Sequence, residues 1–214
     1  MRIEDGIHRV DGIRGVNSYL AETSEGLAIV DTGVPGSASK VLAQIAAIGA
    51  KPGDVRYILL THADIDHVGG VAQLRRATKA KVAIAEEDAL ALAGLAASKR
   101  RTGIVGVIMR AVSALIKAEP VEPDVLLHDG DEIGGLRVIA APGHSAGSVA
   151  FLSADGVMFS GDALLGSREG ELRPPRKGLS DDISQALVSA EKLEALGPRL
   201  VLPGHGAPVR LPQP

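Results

Sequence analysis

The stretch Leu60 to Gly70, LTHADIDHVGG, holds His62, Asp64, Asp66 and His67 within six positions, directly after an apolar run. Neutral imidazoles and carboxylates are the nitrogen and oxygen donors that zinc, iron or manganese accept. Three further side chains of the same kind share one local setting, each just past a predicted strand and beside glycine. They are His144 in IAAPGHSAGS, Asp162 in MFSGDALLG and His205 in LVLPGHGAP. Loops at strand ends are where a rigid sheet presents functional groups, and a neighbouring glycine lets the backbone approach a ligand closely. Taken singly, each motif reads as an ordinary turn. Together they predict a metal site. The chain has six histidines, and the remaining two, His8 and His128, read as structural or exposed: His8 in an N-terminal strand, His128 as a hairpin residue.

The elements that must position these groups follow from apolar periodicity. VNSYLAE and LAIVDTG read as strands around a Ser24-Glu25-Gly26 turn, and Asp31-Thr32-Gly33 closes the second of them. SASKVLAQIAAIG has helical spacing and stops at Gly49. VRYILLT is the continuous apolar run of a strand buried on both faces, with His62 just past its carboxyl end. VAQLRRAT predicts a short helix and KVAIA a strand. From Glu86 to about Lys117 the pattern predicts two helices broken near Thr102-Gly103, ended by Pro120 and Pro123. Strands return in DVLLHDGDEI, LRVIAAPG and SVAFLSADGVMFSGD, where Asp155-Gly156 signals a two-residue hairpin. SDDISQALVSAEKLEAL reads as an amphipathic helix capped by Ser180, and RLVLPGHG as a last strand. Strands, helices, strands and a closing helix predict two sheets between outer helices in one domain, residues 1–214.

Composition narrows the class. A hydrophobic share of 45% with 23% charged residues fits a folded domain rather than a disordered chain. The net charge of -3 and only two Tyr, two Phe and no Trp remove both the electrostatic and the stacking basis for nucleic-acid binding. Lys99-Arg100-Arg101 reads as a solvated face. With no cysteine, thiolate metal sites, disulfides and cysteine nucleophiles are excluded. MRIEDGIHRVDGIRG lacks an apolar signal core, and GIVGVIMRAVSALIKA, interrupted by Arg110 and Lys117, is too short to span a bilayer. The expectation is a cytoplasmic protein without a membrane partner.

The ordered set HADIDH, PGH, SGD and PGHG, with VNSYLAE…LAIVDTG before it and HDGDEI…VIAAPGHSAGSVAF within it, resembles the metallo-β-lactamase-fold hydrolases. The similarity is greatest to their glyoxalase II-like and lactonase-like branch. The resemblance implies an α+β, four-layered αβ/βα sandwich, two mixed β-sheets flanked by helices, with a dinuclear site at one edge. Carried over by position, His62 and His144 would bind a first metal, Asp66, His67 and His205 a second, and Asp162 would bridge them. The commonest form of the first motif has histidine where this chain has Asp64. Either Asp64 replaces that imidazole as a ligand, or its side chain is too short and the first metal is weakly held. Ligation is the preferred reading, since a buried carboxylate is costly unless paired. A third carboxylate makes the site more nearly neutral and favours harder metals such as manganese or iron, although zinc remains the first expectation.

The resemblance further implies metal-assisted hydrolysis of an ester, thioester or lactone, in which cations bring the pKa of a bridging water toward neutrality. Asp66 would orient the nucleophile and return a proton to the leaving group. Rival readings on the same fold are an iron-dependent oxidoreductase or dioxygenase, a nucleic-acid phosphodiesterase, and a degenerate binding protein. The short tail after His205 and the short interval between PGH and PGHG lead to the expectation of no flavodoxin-like domain, no inserted nuclease domain and no glutathione-gripping helical region. The segment at about 86–118 is expected to form a lid or pocket wall. Its Ile104, Val107, Ile108, Val112, Leu115 and Ile116 suit packing on the sandwich, a homodimer partner, or an acylated small-molecule substrate.

Overall fold

The computed structural model describes residues 1–96 and 118–212. The first sheet is built in chain order from β1 (Arg2–Glu4), β2 (Ile7–Arg9), β3 (Tyr19–Thr23), β4 (Gly26–Val30), β5 (Val55–Leu59), β6 (Lys81–Ala85) and β7 (Val125–Leu127). Pairing is antiparallel as far as β4 and parallel from there on. Parallel neighbours need crossovers. These are α1 (Ala38–Ala47) between β4 and β5, and α2 (Ile65–Val68) with α3 (Val71–Thr78) between β5 and β6. The short α4 (Glu86–Leu92) follows β6.

The second sheet contains β8 (Glu132–Ile133), β9 (Leu136–Ala140), β10 (Val149–Ser153) and β11 (Val157–Gly161) as an antiparallel meander. A small ribbon, β12 (Leu165–Gly166) with β13 (Leu172–Arg173), and then α5 (Ile183–Ala195) lead to β14 (Leu200–Pro203) and β15 (Val209–Arg210). β14 joins the sheet parallel to β11, giving the order β15-β14-β11-β10-β9-β8. Both sheets are mixed, and the expected α+β sandwich of four layers is what the chain forms.

Alternation along the strands divides the interior into three apolar layers. In β4, Leu27 and Ile29 point to the helices α1 and α3, while Ala28 and Val30 point to the other sheet. In β6, Val82 and Ile84 face outward to the helices and Ala83 and Ala85 inward. At β4 and β6 the first sheet thus presents small residues to the second, whose inner face carries the only two phenylalanines, Phe151 and Phe159. Large against small fills the gap between sheets. Beyond the second sheet, Ala190 and Leu193 of α5 pack on Ile139, Ala150, Met158 and Val201. Arg199 ties the first strand to the last third of the chain through two bonds to Glu4, of 2.9 and 2.7 Å, and a contact with Asp155.

Four local expectations are corrected. The strand expected from Val16 starts at Tyr19, because Asn17 is pinned sideways to the second sheet: its N–H donates to Gly204 O (2.7 Å) and its amide to Pro203 O and Gly206 O. The Asp155-Gly156 hairpin has a three-residue loop, 154–156, set by the Phe151–Phe159 register and the Gly156 N–H bond to Ser153 O. The cap of α5 is Asp182, whose carboxylate accepts from Gln185 N at 3.0 Å, whereas Ser180 donates to Arg176 O. His128 lies in the turn that carries the chain from β7 in the first sheet to β8 in the second, not in a hairpin. Of the expected lid at 86–118, α4 accounts for the start; its apolar residues from Ile104 to Ile116, the Thr102-Gly103 break and the basic run at 99–101 lie outside the described residues. Among the described residues, no helix is long and apolar enough to cross a membrane.

Phe159 is 1% exposed and meets Tyr19 edge-on, with ring centroids 5.7 Å apart. Phe159→Ala is therefore expected to cost about 3–5 kcal/mol, the range for emptying an aromatic site in a packed core. Urea denaturation of the two proteins measures it, and a loss below about 1 kcal/mol contradicts this packing.

Candidate metal centre

β4, β5, β9, β11 and β14 all release the chain at one edge of the sandwich, because each sheet contributes strands that run the same way. Past these ends lie Asp31, His62, His144, Asp162 and His205 respectively. The two sheets are stitched at this edge by Val149 N–H donating to Thr61 O (2.9 Å). α2 then turns Asp66 and His67 back toward His62, whose ring centroid lies 4.0 Å from that of His67.

The seven side chains singled out in the sequence converge. One group is His62, Asp64 and His144, and another is Asp66, His67 and His205. In the first group, Asp64 Oδ2 is 3.7 Å from His62 Nε2 and 3.4 Å from His144 Nε2. In the second, Asp66 Oδ2 is 3.4 Å from His205 Nε2 and 4.0 Å from His67 Nε2. Asp162 lies between them. Its Oδ1 is 3.4 Å from both His67 Nε2 and His205 Nε2, and its Oδ2 is 3.3 Å from His144 Nε2. The carboxylate of Asp64 thus stands between the two imidazoles of its group.

These separations have a physical meaning. Good N–H···O hydrogen bonds are about 2.7–3.2 Å. Donor atoms about 2.0–2.2 Å from one tetrahedral ion instead stand about 3.3–3.6 Å from one another. Most of the separations here fall in the second range. His62 Nε2, His67 Nε2 and Asp162 Oδ1 are buried without a hydrogen-bond partner. Orphaned polar atoms in an interior are costly unless something else satisfies them. The donor set fits divalent cations. Gly204 keeps the centre open, since a Cβ there would stand 2.6 Å from both Asp162 Oδ1 and His67 Cε1.

Two functional residues escaped the sequence reading. Asp31, fully buried, accepts from Thr61 N–H at 2.9 Å, from Thr61 Oγ1 at 2.8 Å and from His67 Nδ1 at 2.7 Å. Thr61 Oγ1 in turn lies 3.0 Å from His62 Nδ1, which donates to it. Both imidazoles are thereby held with Nδ1 protonated and Nε2 turned to the centre, the arrangement that orients metal-ligating histidines. His205 is oriented likewise by Gly15 O, which accepts from its Nδ1. Asp31 adopts the left-handed region (φ 56°), which aspartate tolerates better than most residues. The second missed residue, Asp88, is buried on α4 and bonds Ala63 N–H, Ser145 Oγ and Gly147 N–H. In sequence, each is a lone aspartate at an element end. His8 lies in β2, and His128 is exposed and pairs with Glu86, both apart from the centre.

The field of the centre favours positive charge. Burial works against protonating His205, but Asp162 and Asp66 outweigh it and push its pKa up to about 10. Burial likewise opposes a charged His67, yet Asp31 and Asp162 hold it well above the ordinary value. Burial would raise the carboxyls of Asp66 and Asp162. His205 and His67 instead hold Asp66 at about 2 and Asp162 well below the usual carboxylate range.

Comparison with known proteins bears on this geometry. A model of the metallo-beta-lactamase superfamily matches residues 11–205. The uncharacterized protein YobT of Bacillus subtilis is 33% identical over 209 residues, covering 92% of this chain and 85% of that protein. Hydroxyacylglutathione hydrolase of Rhodobacter capsulatus is 38% identical over 112 residues, covering 52% of this chain and 34% of its own length. Among solved structures, TTHA1623 in a di-iron-bound form superposes with a TM-score of 0.71 at 34% identity, covering 91% of this chain and 89% of that one.

Protons and divalent cations compete for the same Nε2 atoms. Because the His205 pKa is about 10, a cation binding near neutrality displaces a proton, so apparent affinity rises with pH until that pKa is passed. Zinc titration calorimetry between roughly pH 6 and 9, in buffers of different ionisation enthalpy, should show proton release and tighter binding at the higher pH. Affinity independent of pH across that range contradicts the assignment.

Proposed function

The chain belongs to the metallo-beta-lactamase superfamily, and on that premise we propose that it is a hydrolase of esters, thioesters or lactones using two divalent cations. His62, Asp64 and His144 would hold one cation, Asp66, His67 and His205 the other, and Asp162 would serve both. The observation that carries the reading is the set of 3.3–3.7 Å spacings among these Nε2 and carboxylate atoms, of which His62 Nε2, His67 Nε2 and Asp162 Oδ1 are buried without a hydrogen-bond partner. Bound cations supply Lewis acidity toward a carbonyl oxygen and a water acidified toward neutrality.

The chain's own residues do the rest. Asp31 and Thr61 fix the tautomers of His62 and His67, so the donor atoms need no reorganisation when substrate arrives. Asp66 is the carboxylate of the centre with most access to solvent, its side chain 35% exposed against 8% for Asp64 and 10% for Asp162. It is therefore the group placed to orient an attacking water, to take up on Oδ the proton that this water gives up as its oxygen bonds to the carbonyl carbon, and to pass that proton to the departing oxygen or sulfur. The substrate is read as a small acylated molecule, since relatives named for a reaction include hydroxyacylglutathione hydrolase.

A second reading, redox chemistry on iron, draws on the extra carboxylate of Asp64 and on the di-iron form of TTHA1623. Protein loaded separately with zinc, manganese and iron, offered acyl esters, thioesters and lactones of increasing chain length, separates the two. Hydrolysis is expected, with His67→Ala lowering turnover by several orders of magnitude. Oxygen consumption by the iron form without any hydrolysis would favour the redox reading. Wild-type turnover in metal-loaded His67→Ala refutes the hydrolytic one.

A further inference from the structure

Two loops meet at His62, Asp64 and His144, and one carboxylate outside the centre holds both. Asp88 stands in the first turn of α4 beside the exposed Glu86 and Glu87, yet it is 2% exposed. Its Oδ2 accepts from Ala63 N–H at 2.9 Å and from Ser145 Oγ at 2.8 Å, and its Oδ1 accepts from Gly147 N–H at 3.0 Å. Ala63 separates His62 from Asp64, and Ser145 follows His144. The fit is close, because a Cβ on Gly147 would come within 2.8 Å of Asp88 Cγ. The group formed by Asp66, His67 and His205 takes its support elsewhere, from Asp31 and Gly15 O.

We propose that Asp88 is a positioning residue for one cation site only: it sets the distance between the His62–Asp64 loop and the His144 loop, and with it the occupancy of the site they share. The inference rests on the two-cation reading above. All three bonds to Asp88 come from neutral donors, two of them backbone N–H groups that cannot reverse their role. In Asp88→Asn the new NH2 group confronts a backbone N–H whichever way the amide is turned. Either Ala63 or Gly147 loses its acceptor, and the two loops drift apart by the width of that lost bond. Volume and burial stay nearly constant, so the change acts on the loops rather than on the core. Ser145→Ala removes a single donor and leaves both backbone bonds in place.

The test is zinc titration of the full-length chain, followed by elemental analysis of bound metal and by nitrogen NMR of the histidine rings. Wild type is expected to take up two ions per chain. Asp88→Asn is expected to bind the His62–Asp64–His144 ion about 10–100-fold more weakly, the range for losing an outer support. His62 and His144 rings should then stay at their zinc-free positions at a zinc level that still shifts His67 and His205. Ser145→Ala should move the same site in the same direction by less, and it decides the matter if Asp88→Asn does not fold. Wild-type affinity at both sites in the variants overturns the proposal, as does equal weakening of both. A wild-type chain that binds no zinc, manganese or iron overturns the two-cation reading and this inference with it, whereas intact wild-type binding with unaltered variants overturns the inference alone.

Discussion

The carboxylate of Asp31 is the contact on which the centre depends. It sits at the end of a strand buried on both faces and carries three hydrogen bonds, from one backbone amide, one hydroxyl and one imidazole. Through them a single charged group orients His67 directly and His62 by way of Thr61. A buried carboxylate without such donors would be expelled or protonated. Buried with them, it becomes a rigid point from which two rings are aimed. The left-handed backbone of Asp31 is part of the same device, because it turns the chain off the strand and leaves the carboxylate facing the neighbouring strand's end.

The layered core explains why such aim is possible. The edge that carries the centre belongs to strands whose other residues are locked on both sides, by α1 and α3 outside the first sheet and by the phenylalanines between the sheets. Tyr19 shows the link at one residue: its ring packs on Phe159 while its hydroxyl donates to Pro203 O at 2.8 Å, next to Gly204 and His205. Packing, then, reaches to within two residues of His205. Sites carried on well-packed elements keep their geometry better than sites on free loops.

The candidate donors were legible in the sequence because histidine is scarce in it and their setting repeats. Imidazole and carboxylate beside glycine, just past an apolar run, is a pattern that a single chain can display in full. α3 at Val71–Thr78 and β6 at Lys81–Ala85 were readable to the residue, since both have clean apolar periodicity and firm ends. What could not be read was anything defined by a partner far away in the chain. Asp31 and Asp88 are ordinary aspartates until Thr61, His67, Ser145 and Gly147 are brought beside them. The sideways pinning of Asn17 needs β14, and the cap of α5 was misassigned because Ser180 and Asp182 have nearly equal capping preference. The three-residue hairpin after β10 was missed for a similar reason: register is set by the facing phenylalanines as much as by the turn residues.

The tie between Glu4 and Arg199 carries an implication for how the molecule is made. Glu4, the last residue of β1, finds this charge partner 195 positions further along the chain. His205, the last donor of the centre, emerges later still, and its ring is aimed by Gly15 O from the opening loop. Contacts spanning such sequence separations close late and slow the approach to the native state. During synthesis, then, the nascent chain displays the His62–His67 cluster long before the remainder of the cage exists. An ion caught at that stage would be held by a partial set of donors, and secure retention would begin only once the Gly15 loop and His205 have met.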